Sequence, residues 1–191
     1  MNRLLFIRHA ETDMGGRFCG HSDPPVNARG ERQISALIAR LAPETIDAVY
    51  CSDLRRAVVT ADALAKALSV PLTRRHGLRE IGFGDWEGLT WAEIEQRNPG
   101  EARHWMEAFP NLPAPGGESF ADFEARVLDE VDHLLLFAER KRFAVVTHGG
   151  VMRVVLRTLL GCSDKDAWDK TKSYCCSFAC VNGVAPRTMS R

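Results

Sequence analysis

Short apolar runs alternate along this chain with longer stretches in which apolar residues recur every three or four positions. That alternation predicts a sheet with helices packed on both faces. The run Leu4-Leu5-Phe6-Ile7 predicts a first buried strand, stopped by Arg8 and His9. Asn27 is placed to cap a helix whose Ile34, Leu37, Ile38 and Leu41 share one face and which ends before Pro43. Ala48 to Cys51 reads as a second short strand. Ser52 is then the expected cap of a helix carrying Leu54, Ala57, Val58, Ala61, Leu64, Ala65 and Leu68 on one stripe, stopping before Pro71.

Between His76 and Ser119 the periodicity loosens. Trp86, Trp91 and Trp105 fall there, with Pro99-Gly100 and with Pro110, Pro113 and Pro115. This predicts a small, mostly helical lid inserted at about 84–118 in a single domain spanning 1–191. A helix resumes at Ser119, with Asp122 three residues on, and runs through Phe123, Val127, Val131 and Leu134. Phe143 to Thr147 reads as another buried strand, which feeds through His148-Gly149-Gly150 into an apolar helix, Val151 to Leu160, closed by Gly161. Cys175 to Val181 predicts a last strand and Asn182 to Arg191 a polar tail. The expected fold class is α/β, a three-layer α/β/α sandwich around a mostly parallel sheet.

Composition narrows the function. The 191 residues carry 25 Lys and Arg against 25 Asp and Glu. Net neutrality argues against binding nucleic acid through bulk charge. The longest apolar stretch, Val145 to Leu160, is broken by His148, Arg153 and Arg157, so no membrane association is expected. The first apolar run is too short for a secretory signal, which makes the cytoplasm the expected location. In a reducing compartment the six cysteines are expected to be free thiols. Cys175, Cys176 and Cys180 lack the paired spacing of a zinc site, so no metal is assigned.

The chemistry gathers at strand ends. Arg8-His9 follows the first apolar run, Ser52-Asp53-Leu54-Arg55-Arg56 the second, and His148-Gly149-Gly150 the run at 143–147. Open α/β sheets bind ligands outside the carboxyl ends of their strands, so these segments are expected to converge on one rim. Arginine forks suit phosphate oxygens, and a helix starting after Gly149-Gly150 offers backbone N–H groups. A phosphate is therefore the expected ligand, and a neutral imidazole beside it is a nucleophile. On periodicity alone, Arg55 and Arg56 are equal candidates.

These residues resemble a known family. Arg8-His9-Ala10-Glu11-Thr12 is similar to the signature of the histidine phosphatase superfamily, the phosphoglycerate-mutase-like group. The likeness continues in order through Gly20-His21-Ser22-Asp23-Pro24-Pro25, Ser52 to Ala57, Leu78-Arg79-Glu80 with Gly84-Asp85-Trp86-Glu87-Gly88, Pro115 to Ser119, and Thr147-His148-Gly149-Gly150. The resemblance implies that His9 is the nucleophile and becomes phosphorylated. Arg8, Arg56 and His148 would then hold the phosphoryl oxygens, with Arg56 selected over Arg55. Glu80 would be the general acid, then the base that activates water, and an optimum on the acid side of neutrality follows from those roles. Thr12, His21, Ser22 and Gly149 fall at positions near the substrate. No cofactor is implied, and the implied partner is a small phosphorylated metabolite.

The chain also departs from the family pattern. Ala10 stands where glycine is usual, Gly15 where an asparagine often donates to the phosphate, and Asp53 where proline is frequent. Within the superfamily the blocks are most similar to the α-ribazole phosphatase branch. That implies hydrolysis of α-ribazole 5′-phosphate in cobalamin nucleotide-loop assembly. The alternatives are a broad-specificity sugar phosphatase, a phosphoglycerate mutase and, from another class, a phosphate-binding module without catalysis.

Overall fold

A computed structural model describes residues 3–138 and 141–181; the expected polar tail, Asn182 to Arg191, lies outside them. Five strands form one sheet: β1 (Arg3–Arg8), β2 (Ala48–Cys51), β3 (Leu72–Arg74), β4 (Arg142–Thr147) and β5 (Ser177–Val181). Their order is β3-β2-β4-β1-β5. The first four are mutually parallel, and β5 is antiparallel at the edge. Seven α-helices are seen among the described residues: α1 (Ala28–Leu41), α2 (Arg55–Leu68), α3 (Trp91–Arg97), α4 (Pro99–Ala108), α5 (Phe120–Phe137), α6 (Gly149–Val154) and α7 (Asp164–Thr171). None is long and apolar enough to cross a membrane.

Strand alternation sorts the core into two layers. Leu4, Phe6, Phe143 and Val145 pack on one face against Phe123, Val127, Val131 and Leu134 of α5 and Val151 and Met152 of α6. Ile7, Val49, Cys51, Ala144 and Val146 face the other way, against Ile34 and Leu37 of α1 and Ala57, Ala61 and Leu64 of α2. A sheet buried on both sides explains why its strands read as continuous apolar runs rather than alternating ones. The expected three-layer sandwich is the architecture seen. A third, smaller cluster of Trp86, Ile94, Ala102 and Ala114, with Phe18, Phe83, Trp91 and Trp105 against it, holds the 84–114 stretch together.

Local signals set most helix starts. Asn27 caps α1 by accepting the Gly30 N–H, and Ser119 caps α5 by accepting that of Asp122. Ser52 behaves differently from the expectation. The cap position of α2 is Leu54, whose N–H donates to Ser52 Oγ at 3.3 Å in the turn ahead of the helix. The last apolar helix begins at Gly149 rather than Val151 and widens into a π segment at Val155–Leu159. Gly161, at φ +65°, follows it. β3 and α7 were not expected from the pattern.

The amphipathic register of α2 is testable. Leu64 is fully buried and Val59, on the same helix, is 39% exposed. In urea denaturation Leu64→Ala should cost about 2–5 kcal/mol and Val59→Ala less than about 0.5 kcal/mol.

Candidate active site

The parallel pairing of β1 and β4 sets Arg8 opposite Thr147, so His9 and His148 leave the sheet side by side with ring centroids 5.1 Å apart. The His9 N–H donates to the Thr147 carbonyl at 2.9 Å. Its ring donates from Nδ1 to the Ala10 carbonyl at 2.7 Å. A carbonyl only accepts, so Nδ1 carries the proton and Nε2 keeps its lone pair. Ala10 is itself fixed, because its N–H donates to Thr60 Oγ1, whose hydroxyl donates onward to the Arg56 carbonyl.

Arg56 completes the arrangement. Its guanidinium is 1% exposed, and its Nε–H points at His9 Nε2 from 3.3 Å. Burial first and then the charge of Arg56 lower the His9 pKa to about 3, partly opposed by the Ala10 bond and helped by a smaller effect of Arg8. His9 is thus a neutral imidazole throughout the physiological range. The fully buried His148 is held well below the ordinary imidazole range, first by desolvation and then by Arg56, His9 and Arg8.

Around His9 lie polar atoms that the protein leaves without a partner. Both ring nitrogens of His148 and Nε of Arg8 are buried with no hydrogen bond among the described residues. Such groups cost about 1–3 kcal/mol each, and their clustering marks a ligand site rather than a packing fault. Arg8 Nη1 donates to the Thr171 and Lys172 carbonyls, and its guanidinium lies 4.2 Å over the Tyr174 ring. A cavity of about 650 Å³ opens here, lined by Arg8, His9, Thr12, Gly15, Glu80 and Arg153 among others.

Glu80 sits in that wall. Its Oε2 accepts the Gly150 N–H at 2.9 Å and its Oε1 accepts the Ile81 N–H at 3.1 Å. The N-terminus of α6 therefore spends this donor on a carboxylate, whereas the sequence suggested phosphate for it. Neighbouring ion pairs position the segment: Arg79 grips Asp53 through two bonds, and Arg126 grips Glu118 while donating to the Gly77, Arg79 and Glu80 carbonyls. Asp53, which stands where proline is frequent in the family pattern, thus anchors the residue before Glu80.

The 19–23 loop closes the other side. Arg56 donates to the carbonyls of Cys19, Gly20 and Ser22, and the N–H groups of Gly20, His21 and Ser22 all donate to the Glu87 carboxylate. Burial raises the Glu87 pKa, but hydrogen bonds from the Ser22 side chain and from the N–H groups of Phe83, His21 and Ser22 outweigh it and hold the carboxyl below the ordinary carboxylate range.

Five of the residues singled out in the sequence, Arg8, His9, Arg56, Glu80 and His148, are brought together. Arg55 is exposed, which separates it from Arg56. Thr12 is buried in the chamber wall, with its Oγ1 accepting the Met14 N–H. Gly149 lies beside Arg8 and Arg153. His21 and Ser22 lie outside the chamber lining and bond to the elements around it: His21 Nε2 donates to the Glu80 carbonyl, and Ser22 supplies its N–H to Glu87 and its carbonyl to Arg56. Sequence reasoning missed Arg153, Tyr174 and Glu87. Arg153 had a readable signal, since it falls four residues after Gly149 and so on the same helix face.

A family model described as the histidine phosphatase superfamily (branch 1) matches residues 4–182. A bifunctional protein of Mycobacterium tuberculosis is 38% identical over 161 residues, covering 83% of this chain and 44% of its own length. The chain thus spans less than half of that relative. Phosphoserine phosphatase 1 of Hydrogenobacter thermophilus is 30% identical over 95% of this chain and 83% of its own. Among solved structures, a putative α-ribazole-5′-P phosphatase from Escherichia coli superposes with a TM-score of 0.84 at 30% identity, covering 93% of this chain and 88% of that one.

The two glycines of the α6 start differ in a testable way. A Cβ on Gly150 would lie 2.0 Å from Glu80 Oε1, whereas one on Gly149 meets nothing closer than 3.6 Å. Gly150→Ala should displace the carboxylate and lower kcat/KM on a phosphate monoester by about 100-fold, while Gly149→Ala should change it only a few-fold. Thermal unfolding should show both variants folded.

Proposed function

This chain belongs to the histidine phosphatase superfamily, and we propose that it is a phosphomonoesterase that works through a phosphohistidine at His9. The observation that carries this reading is the neutral, single-tautomer His9 whose Nε2 lone pair faces Arg56, in a chamber that Arg8 and Glu80 also line. In this mechanism the Nε2 lone pair attacks phosphorus. The bond to the ester oxygen breaks, and its electron pair leaves with that oxygen, which takes a proton from Glu80. Arg8, Arg56 and His148 stabilise the charge that spreads over the equatorial oxygens. Glu80 then takes a proton from water, the hydroxide attacks phosphorus, and the P–N bond returns its pair to Nε2, releasing inorganic phosphate. Residues 84–118 act as the lid over the leaving group.

For the substrate we favour α-ribazole 5′-phosphate. Support comes from the resemblance of the Leu78–Gly88 and Pro115–Ser119 blocks and from the superposition on the E. coli structure that carries that description. Phosphoserine is the second reading, favoured by the likeness to the H. thermophilus enzyme over nearly the whole chain.

Rapid quenching during turnover should trap acid-labile, base-stable phosphate on His9, lost in His9→Ala. Release of phosphate without that label would overturn the mechanism. The pH profile gives a second check. A depressed pKa keeps the nucleophile unprotonated as acid is added, so kcat/KM, corrected for the ester's own ionisation, should show no loss at His9 between pH 7 and 5. A one-proton fall centred near 6.5 would mean that His9 titrates as an ordinary histidine.

A further inference from the structure

Arg8 is held, backbone and side chain together, by one short stretch at 171–176. Its N–H donates to the Cys176 carbonyl at 3.0 Å, and its carbonyl accepts the Cys175 N–H at 3.2 Å. Its Nη1 donates to the Thr171 and Lys172 carbonyls at 3.0 and 2.6 Å, and its guanidinium lies 4.2 Å from the centre of the Tyr174 ring. The chain turns into this arrangement at Cys175, whose φ of +54° is a left-handed conformation that a residue with a side chain keeps only where its surroundings impose it.

Electrostatics explains why Arg8 needs such a holder. A Cβ on Gly149 would stand 3.6 Å from Arg8 Nε and 3.7 Å from Arg153 Nη1, so two guanidinium groups flank one glycine. Burial is the first cause lowering the Arg153 pKa; the Glu80 charge opposes it, and the like charge of Arg8 adds to it. On the Arg153 side, Glu80 thus offsets part of the repulsion. Arg8 is met instead by partial negative charge: the last carbonyls of α7, left open by the helix at the negative end of its dipole, and the π face of Tyr174.

These contacts occupy one nitrogen and one face. Arg8 Nε stays buried without a partner among the described residues. Nε and Nη2 form the side-on edge of a guanidinium, where two parallel N–H groups match two oxygens of one phosphoryl group. Tyr174 lines the same chamber, and its ring centroid is 5.7 Å from that of His9, so one ring rests against both the cation and the nucleophile.

Resting on the phosphatase reading, we infer that Tyr174 is a positioning residue for phosphoryl transfer: its ring, with the carbonyls of Thr171 and Lys172, fixes the Arg8 guanidinium so that the side-on edge meets the phosphoryl group at His9. The aromatic face carries the role, and the hydroxyl does not. An aliphatic side chain of similar size still fills space, but it gives the cation neither a quadrupole nor a flat surface to lie on. Arg8 then has to be ordered at each binding event, which weakens affinity for the oxyanion.

The test compares Tyr174→Phe with Tyr174→Leu. In calorimetric titration with inorganic phosphate, Tyr174→Phe should bind within about twofold of the wild type and Tyr174→Leu about fivefold more weakly or worse. Ser173→Ala, exposed in the same turn, should change nothing. On 4-nitrophenyl phosphate, Tyr174→Leu should lower kcat/KM about fivefold or more by itself, yet less than about twofold when added to Arg8→Lys, which has no fork left to position. Equal losses in the two backgrounds, or a loss in Tyr174→Phe as large as in Tyr174→Leu, overturn the inference. If thermal unfolding shows Tyr174→Leu unfolded, Tyr174→Met is read in its place. The phosphate titration needs no turnover. Graded affinity across the variants supports the positioning role even if His9 is never labelled, a result that would remove the hydrolytic mechanism alone. Wild-type protein that binds no phosphate, or Tyr174→Leu that binds it as tightly as wild type, overturns the positioning role while leaving the labelling result to stand by itself.

Discussion

The buried guanidinium of Arg56 is the constraint on which the rest of the site depends. A cation taken out of water must find acceptors for its donors, and three backbone carbonyls of the 19–23 loop meet that need. The remaining Nε–H is left facing His9 Nε2. One charge therefore fixes a loop and sets the protonation state of a ring. A fully buried positive charge 3.3 Å from the imidazole disfavours a second positive charge there, in the same direction as desolvation. The Ala10 carbonyl then chooses which nitrogen keeps the single proton.

That arrangement ties distant parts of the chain together. The loop gripped by Arg56 presents its N–H groups to Glu87, and Glu87 lies at the start of the 84–118 segment. Glu80 is held from its own side by the Gly150 N–H and by the Arg126 bonds to the preceding carbonyls. The net neutrality of the chain hides this distribution. Arg8, Arg56 and Arg153 concentrate positive charge around one chamber, while Glu118, Asp53 and Glu87 act as structural anions just outside it.

Much of this was legible in the sequence because the signals are local. Buried parallel strands leave unbroken apolar runs, and Asn27 and Ser119 fulfil their capping patterns within three residues. The strand ends carried Arg8, His9, Arg56 and His148, since β1 and β4 both deposit their next residue at the same rim, whereas Glu80 was legible through the family resemblance alone. Other features depend on partners far away in sequence. β3 is three residues long with two of them exposed, so no apolar pattern announces it. Polar α7 does carry a readable start, Ser163 accepting the Asp166 N–H, which the apolar pattern does not reveal. The difference between Gly149 and Gly150 needs the position of Glu80, 70 residues earlier. His21 and Ser22 sit in a family-like block, but their bonds to Glu80, Glu87 and Arg56 reach residues far along the chain.

The central claim is that His9 is a neutral imidazole protonated on Nδ1. Long-range proton–nitrogen correlation spectra of the free protein, with His9 assigned through its alanine variant, test it most directly. From pH 8 to 5 the spectra should show Nδ1 carrying the proton and Nε2 bare, with no titration. A change to the doubly protonated form with a midpoint near 6.5, or a proton resident on Nε2, would contradict the account.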